Sequence, residues 1–142
     1  MQVFAPSSDL AELVQVMDDV RLRNQRRESM ALLNGGWPNH PVAKLWAPWK
    51  GWLVIVTLGY CKEVVRRGWR DNTAERLRAI QVENYHRPPW WGDEAFHSSH
   101  RASLLWKDPH HYGQFGWTEH PRYGYIYPDQ GEQVERATVD EG

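Results

Sequence analysis

Apolar residues recur along this chain at helical spacing through most of its first hundred positions. Leu10, Leu13, Val14, Met17 and Val20 stand three and four apart, the stripe of an amphipathic helix. Ser7, Ser8 and Asp9 offer N-cap side chains ahead of it, with Glu12 as the capping-box partner of Asp9. Residues 21–33 carry neither Pro nor Gly and read as helix again, either the same rod or a second one after a bend near Asp18–Asp19. Gly35, Gly36 and Pro38 stop it. Pro41 opens a further helical stretch, with Pro48 as its point of interruption, that runs to Arg66, Arg67 and Gly68. The β-branched run Val54, Ile55, Val56, Thr57 reads as helix rather than strand. Leu53, Val56, Tyr60, Val64 and Val65 keep one face, and the stretch ends in basic residues and a glycine. Asp71 or Asn72 is expected to cap a third helix over 73–85, ended by Pro88 and Pro89, and Asp93 to start a fourth that closes near Pro109. Residues 110–128 lose this periodicity and read as aromatic loop. The pattern predicts an all-α fold, a single compact helical domain over residues 1–128 with long aromatic loops. Residues 129–142 are expected to be an acidic, flexible tail.

The length of 142 residues suits one core. Mean hydropathy is −0.73, and no apolar run approaches the ~18 residues of a membrane helix. The first residues lack the pattern of a signal peptide. A single cysteine, Cys61, excludes an internal disulfide framework and fits a reducing compartment; the protein is expected in the cytoplasm. The formal net charge of −1 argues at first against a nucleic-acid partner, but it sums two unlike regions. Asp129, Glu132, Glu135, Asp140 and Glu141 crowd the last 14 residues beside one base, Arg136, which leaves residues 1–128 near +3. Thirteen of the 17 bases are arginine, the residue suited to bidentate contact with phosphate or carboxylate.

Three constellations carry candidate chemistry. The densest is Arg21, Arg23, Gln25, Arg26, Arg27 and Glu28: on a helix, Arg21, Gln25 and Glu28 share one face. This reads as a phosphate-binding helix with a carboxylate among its bases, or as a solvated face on which Asp18, Asp19 and Glu28 pair locally. The second is the run 88–101, where Glu94, His97 and His100 fall on one face beside Arg101. That spacing is compatible with metal ligation but lacks a fourth ligand, so no metal is expected. A structural reading, in which the histidines cap, pack on tryptophan or hydrogen-bond in a polar core, stands beside it, and phosphate contact by His97, His100 and Arg101, with Lys107 after them, is the third. The third is aromatic. Most of the nine tryptophans are expected in the core, Trp49 and Trp52 among them. Arg122, Tyr123, Tyr125 and Tyr127 have the character of a base-stacking loop, or of a segment that covers the helices. No Gly-rich phosphate loop, GxSxG elbow, Cys–His pair or HExxH motif occurs.

The order of these features resembles the pyrimidine-dimer DNA glycosylase/AP lyase family, the small phage-type endonuclease V enzymes. The likeness is closest to a bacterial and phage branch that begins MQTFLP and carries D-x-x-R-L-G-K-Q-R-x-E; this chain reads MQVFAP, and Asp18-Asp19-Val20-Arg21-Leu22-Arg23-Asn24-Gln25-Arg26-Arg27-Glu28. The branch also has P-P-W-x-G-D-E-A-F-H-x-S-H-R followed by K-D-P, matched by residues 88–101 and 107–109. The resemblance spans about residues 1–128. It implies a compact helical enzyme of base excision repair that takes double-stranded DNA with damaged pyrimidines, needs no cofactor, meets no membrane, acts as a monomer and lies at the nucleoid when bound.

The chemistry it implies is a DNA N-glycosylase with AP lyase activity that uses the chain's own α-amine. Such an amine titrates close to physiological pH, well below a lysine. It attacks the sugar C1′, the base leaves, and the resulting Schiff base permits β-elimination of the strand, while a carboxylate orients the sugar and moves protons. Gln2 is too large for removal of the initiator methionine, so the amine is expected to be that of Met1. Without gaps, the family's catalytic glutamate falls on Leu22, and Glu28, ahead of Asp18 or Asp19, is expected to stand in for it. The expected catalytic set is therefore Met1, Glu28 and Arg21. The expected DNA contacts are Arg23, Gln25, Arg26, His97, His100, Arg101, Lys107, Arg122, Tyr123 and Tyr125. The alternatives are a non-catalytic DNA-binding module of the same fold and a glycosylase for another modified pyrimidine.

Overall fold

A computed structural model describes residues 1–129 and 133–137, with side chains through Pro128. Helices dominate, as the periodicity implies: α1 (Leu10–Gln15), α2 (Asp19–Leu33), α3 (Pro41–Trp46), α4 (Lys50–Arg66), α5 (Thr73–Arg78), α6 (Glu94–Lys107) and α7 (Pro109–Tyr112). Asp9 caps α1, accepting from the Ala11 and Glu12 N–H groups at 2.9 and 3.3 Å. The first two helices are separate, because Asp18 leaves the helical path and its carboxylate caps α2 through the Arg21 N–H. Pro48 sits in a 3-10 turn, Ala47–Trp49, that joins α3 to α4, and the Val54–Thr57 run is helical.

The long helix α4 is the centre of the packing. Its Leu53, Val56, Tyr60 and Val64 are buried against α1, α2 and α5. Glu63, near its C-terminus, is buried among guanidinium groups. Hydrogen bonds from Arg66, aided by Arg67, hold its carboxyl below the ordinary glutamate range although burial opposes them. Arg67 also reaches Asp19 at 2.8 Å and the Val14 and Gln15 carbonyls, which ties α4 to the end of α1 and the start of α2.

Two expectations change. The third helix ends at Arg78 rather than near residue 85. The chain beyond it crosses the start of α4 so closely that a Cβ on Gly51 would stand 1.8 Å from the Asn84 carbonyl oxygen, and that path leaves the helical one. The aromatic stretch 110–128 is also more ordered than a loop, forming α7, a 3-10 turn at Gly113–Phe115 and strand β1 (Tyr125–Asp129). β1 pairs antiparallel with β2 (Gln133–Ala137), Tyr127 facing Glu135. This hairpin is the one sheet among the described residues, and it takes up part of the acidic tail; the flexibility expected of residues 130–132 and 138–142 lies outside the described residues.

The tryptophans divide. Trp46, Trp90 and Trp91 are buried, with Trp46 and Trp90 edge-on at 5.2 Å, while Trp49 and Trp52 are half-buried and Trp37 and Trp106 stand more than half exposed. No helix of the described residues is long and apolar enough to cross a membrane.

Candidate active site

Residues 2–6 run extended through the interior, and all are buried. Buried peptide groups need hydrogen-bond partners, and here no strand among the described residues supplies them. Side chains from three helices, α2, α4 and α6, do so instead.

Gln25 of α2, 1% exposed, turns its amide onto this segment as a second strand would. Its Oε1 accepts the Phe4 N–H at 2.9 Å, and its Nε2 donates to the Gln2 carbonyl at 2.9 Å. The Tyr60 hydroxyl of α4 donates to the Phe4 carbonyl. Two histidines of α6 take both polar groups of Ala5: His100 Nδ1 accepts its N–H at 3.0 Å, and His97 Nδ1 bonds its carbonyl at 2.8 Å. His97 Nε2 accepts the Gly92 N–H, so its proton sits on Nδ1, which donates to Ala5. Arg101 Nη1 donates to the Pro6 carbonyl at 2.9 Å, and the Trp91 indole to the Ser8 carbonyl at 3.0 Å.

At its start this segment meets a carboxylate. The Gln2 N–H points at Glu28 Oε2 at 3.4 Å, and Gln25 Nε2 lies 3.3 Å from the same oxygen. Backbone geometry keeps an α-nitrogen within about 3.7 Å of the next one along, so the Met1 amine stands within about 7 Å of the Glu28 carboxylate. Met1 is half-buried and packs on the edge of the core. The Gln2 side chain donates from Nε2 to the Tyr127 hydroxyl of β1 at 3.1 Å. Arg21, a turn before Gln25 on the same face, pairs with Asp18 at 3.4 Å. Burial alone would raise the Asp18 carboxyl, but hydrogen bonds from the Tyr112 hydroxyl and the Arg21 N–H, together with the Arg21 charge, bring it below the ordinary range.

The expected residues thus fall into three groups. Arg21, Gln25 and Glu28 do share a face, and the N-terminal residues lie along it. Arg23 is exposed on the opposite face, over the Trp69 ring at 4.9 Å. Arg26 turns aside to the buried Asp71 at 2.7 Å. The α6 group points inward, not to a surface. His97 and His100 are 2% and 0% exposed, and burial first of all holds both imidazoles below the ordinary histidine range, His100 well below it. Arg101 joins Glu94, Glu119 and Pro6, so Glu94 and the two imidazoles do not converge on a shared point. Tyr125 is buried against Phe4 and His100. Lys107 lies over the Tyr123 ring at 4.7 Å, with Trp106 stacked on that ring at 5.0 Å. Arg122 is exposed. Cys61 is buried, which with the nearby Asp71 pushes its thiol up to about 12 and keeps it protonated. Tyr60 and Gln2 were absent from the expected site, and Tyr127, read with Tyr123 and Tyr125 as a base-stacking loop, meets the Gln2 side chain instead. The Y-x-Y-x-Y alternation, which puts Tyr123, Tyr125 and Tyr127 on one face of an extended chain, was the available sign for Tyr127.

The sequence model of the family described as pyrimidine dimer DNA glycosylase matches residues 1–77, just over half of the chain. No curated protein and no solved structure matches it. The matched span runs from Met1 into α5 and so contains the N-terminal segment together with Gln25 and Glu28: the chain belongs to the pyrimidine dimer DNA glycosylase family.

Proposed function

We propose that this protein excises pyrimidine dimers from duplex DNA with the α-amine of Met1 as nucleophile, and that it then cleaves the strand as an AP lyase. One observation carries the reading: the first residues lie on the carboxylate-bearing face of α2, with the Gln2 N–H on Glu28. The neutral amine donates its lone pair to C1′, the N-glycosidic bond breaks, and the base departs with the bonding electrons. Loss of a proton from the amine and opening of the sugar give a Schiff base, and removal of a C2′ proton expels the 3′ phosphate. Glu28, whose carboxylate meets the Gln2 N–H, is the group assigned to accept the amine proton and return it to the sugar oxygen. The side chains that grip residues 2–6 fix the start of the chain on the Glu28-bearing face of α2, which supports a productive geometry.

Borohydride should trap a covalent protein–DNA adduct on dimer-containing and abasic duplex, and an N-terminal extension that blocks the amine should abolish it. A second reading has its own support: Leu22, at the ungapped catalytic position, is fully buried and offers no carboxylate. A fold that retained DNA binding without chemistry would bind duplex in a salt-dependent way and yield no adduct on either substrate.

A further inference from the structure

The outer face of α2 borders an open groove of about 680 Å3, closed on its far side by the start of α5. Arg23, Arg26 and Arg27 of α2 line it with Arg76 of α5 and the amides of Asn34 and Asn72. Its described lining contains no carboxylate. Asp71 neutralises Arg26, whereas Arg23, Arg27 and Arg76 enter no ion pair among the described residues. Three guanidinium groups lining one groove without a carboxylate in that lining, with asparagine amides beside them, form a donor-rich surface that fits phosphate oxygens. The open shape suits a polymer backbone better than an enclosed small molecule.

Its position links it to the site. Arg27 immediately precedes Glu28, and successive side chains on a helix stand about 100° apart, so the groove begins one step around α2 from the carboxylate. A helix is about 10–12 Å across with its side chains, and a duplex carries a charge every ~1.7 Å along its axis. One DNA segment can therefore lie over both.

We propose that this groove anchors the phosphodiester backbone of the DNA beside the nucleotide presented to Met1 and Glu28, and that Arg23, Arg27 and Arg76 contribute affinity without reading sequence. The proposal rests on DNA being the substrate.

Fluorescence anisotropy tests it, using two undamaged duplexes of unrelated sequence titrated across a range of salt. Arg27→Ala and Arg76→Ala should each weaken binding several-fold and equally on both duplexes. Each should lower the slope of log affinity against log salt by about one, and the double variant by about two. Arg27→Lys should restore most of the slope, because it keeps the charge. Lys44→Ala, an exposed cation on α3 that is not among the groove's lining residues, should change nothing. A wild-type slope in the double variant, an equal loss in Lys44→Ala, or a loss confined to one sequence would each overturn the anchoring role. Such a result leaves borohydride trapping by the wild type as it was, whereas a wild type that binds neither duplex ends both proposals.

Discussion

On the inner face of α2, Gln25 is sealed from solvent and commits both ends of its amide to the backbone of residues 2–4. On the outer face Arg23 and Arg27 stand exposed beside a groove, with no acid paired to them among the described residues. Arg21, on the inner face, is turned to Asp18, and Arg26, between the faces, to the buried Asp71. Four arginines within seven positions thus have unlike surroundings, set by rotation about one helix axis. The difference teaches that a basic cluster in a sequence is not one site: each step of about 100° gives the next residue a different neighbour.

Substitutions along α2 can break or sharpen this contrast. Glu28→Gln keeps the shape of the side chain and removes its charge. If the inner face carries the chemistry, the rate of borohydride trapping should fall about 10²–10⁴-fold while duplex affinity holds within about two-fold. An unchanged trapping rate would remove Glu28 from the mechanism. Arg26→Ala leaves Asp71, with a side chain 3% exposed, without its cation. The two backbone N–H groups that Asp71 accepts, from Thr73 and Ala74, soften the effect. Urea unfolding should register a loss of about 3 kcal/mol. Gln25→Ala strands the Phe4 N–H and the Gln2 carbonyl in the interior and should lower stability by about 2–3 kcal/mol. A loss under about 0.5 kcal/mol would mean that the segment is held without this clamp.

The α6 clamp predicts a pH dependence. His97 and His100 are neutral in the fold, with burial first depressing both, and they take up protons on unfolding once the pH drops below the ordinary value of 6.5. The unfolded chain then binds more protons than the folded one. Stability is therefore complete above that value and declines as pH falls from 6.5 toward the depressed folded values. His100→Asn, which offers an acceptor near the position of Nδ1, should flatten the part of that decline due to His100, read as unfolding midpoints between pH 8 and pH 5. An unaltered decline would show that His100 does not supply it. The smallest effect belongs to the outer face: Arg27→Ala should change unfolding stability by no more than about 0.5 kcal/mol, in contrast with its neighbour Arg26.

Local patterning made most of the helical frame legible. The stripe from Leu10, the stop at Gly35–Gly36, Asp93 as the cap of α6 and the helical reading of Val54–Thr57 all depend on residues within a few turns of one another, and such interactions act wherever the chain lies. The shared face of Arg21, Gln25 and Glu28 was legible for the same reason. The end of α5 was not, because it depends on Gly51 and Asn84 meeting across the fold. Nor was the use of His97 and His100. Their spacing on one helical turn suits a metal, a phosphate or a buried peptide equally, and the identity of the partner lies more than ninety residues away, at Ala5.

The sequence by itself determined most of the helical segments, the caps at Asp9 and Asp93, and that bases and a carboxylate alternate around α2. Tertiary structure alone decided which of those residues meet the N-terminus, which pair with buried acids and which face the groove. The physical reason is that, apart from the Val3 N–H, which the neighbouring Gln2 side chain accepts, the polar backbone groups of residues 2–6 that find partners find them far along the chain; once buried they must be satisfied. The side chains that do so come from α2, α4 and α6, elements brought together only by the packing of the core.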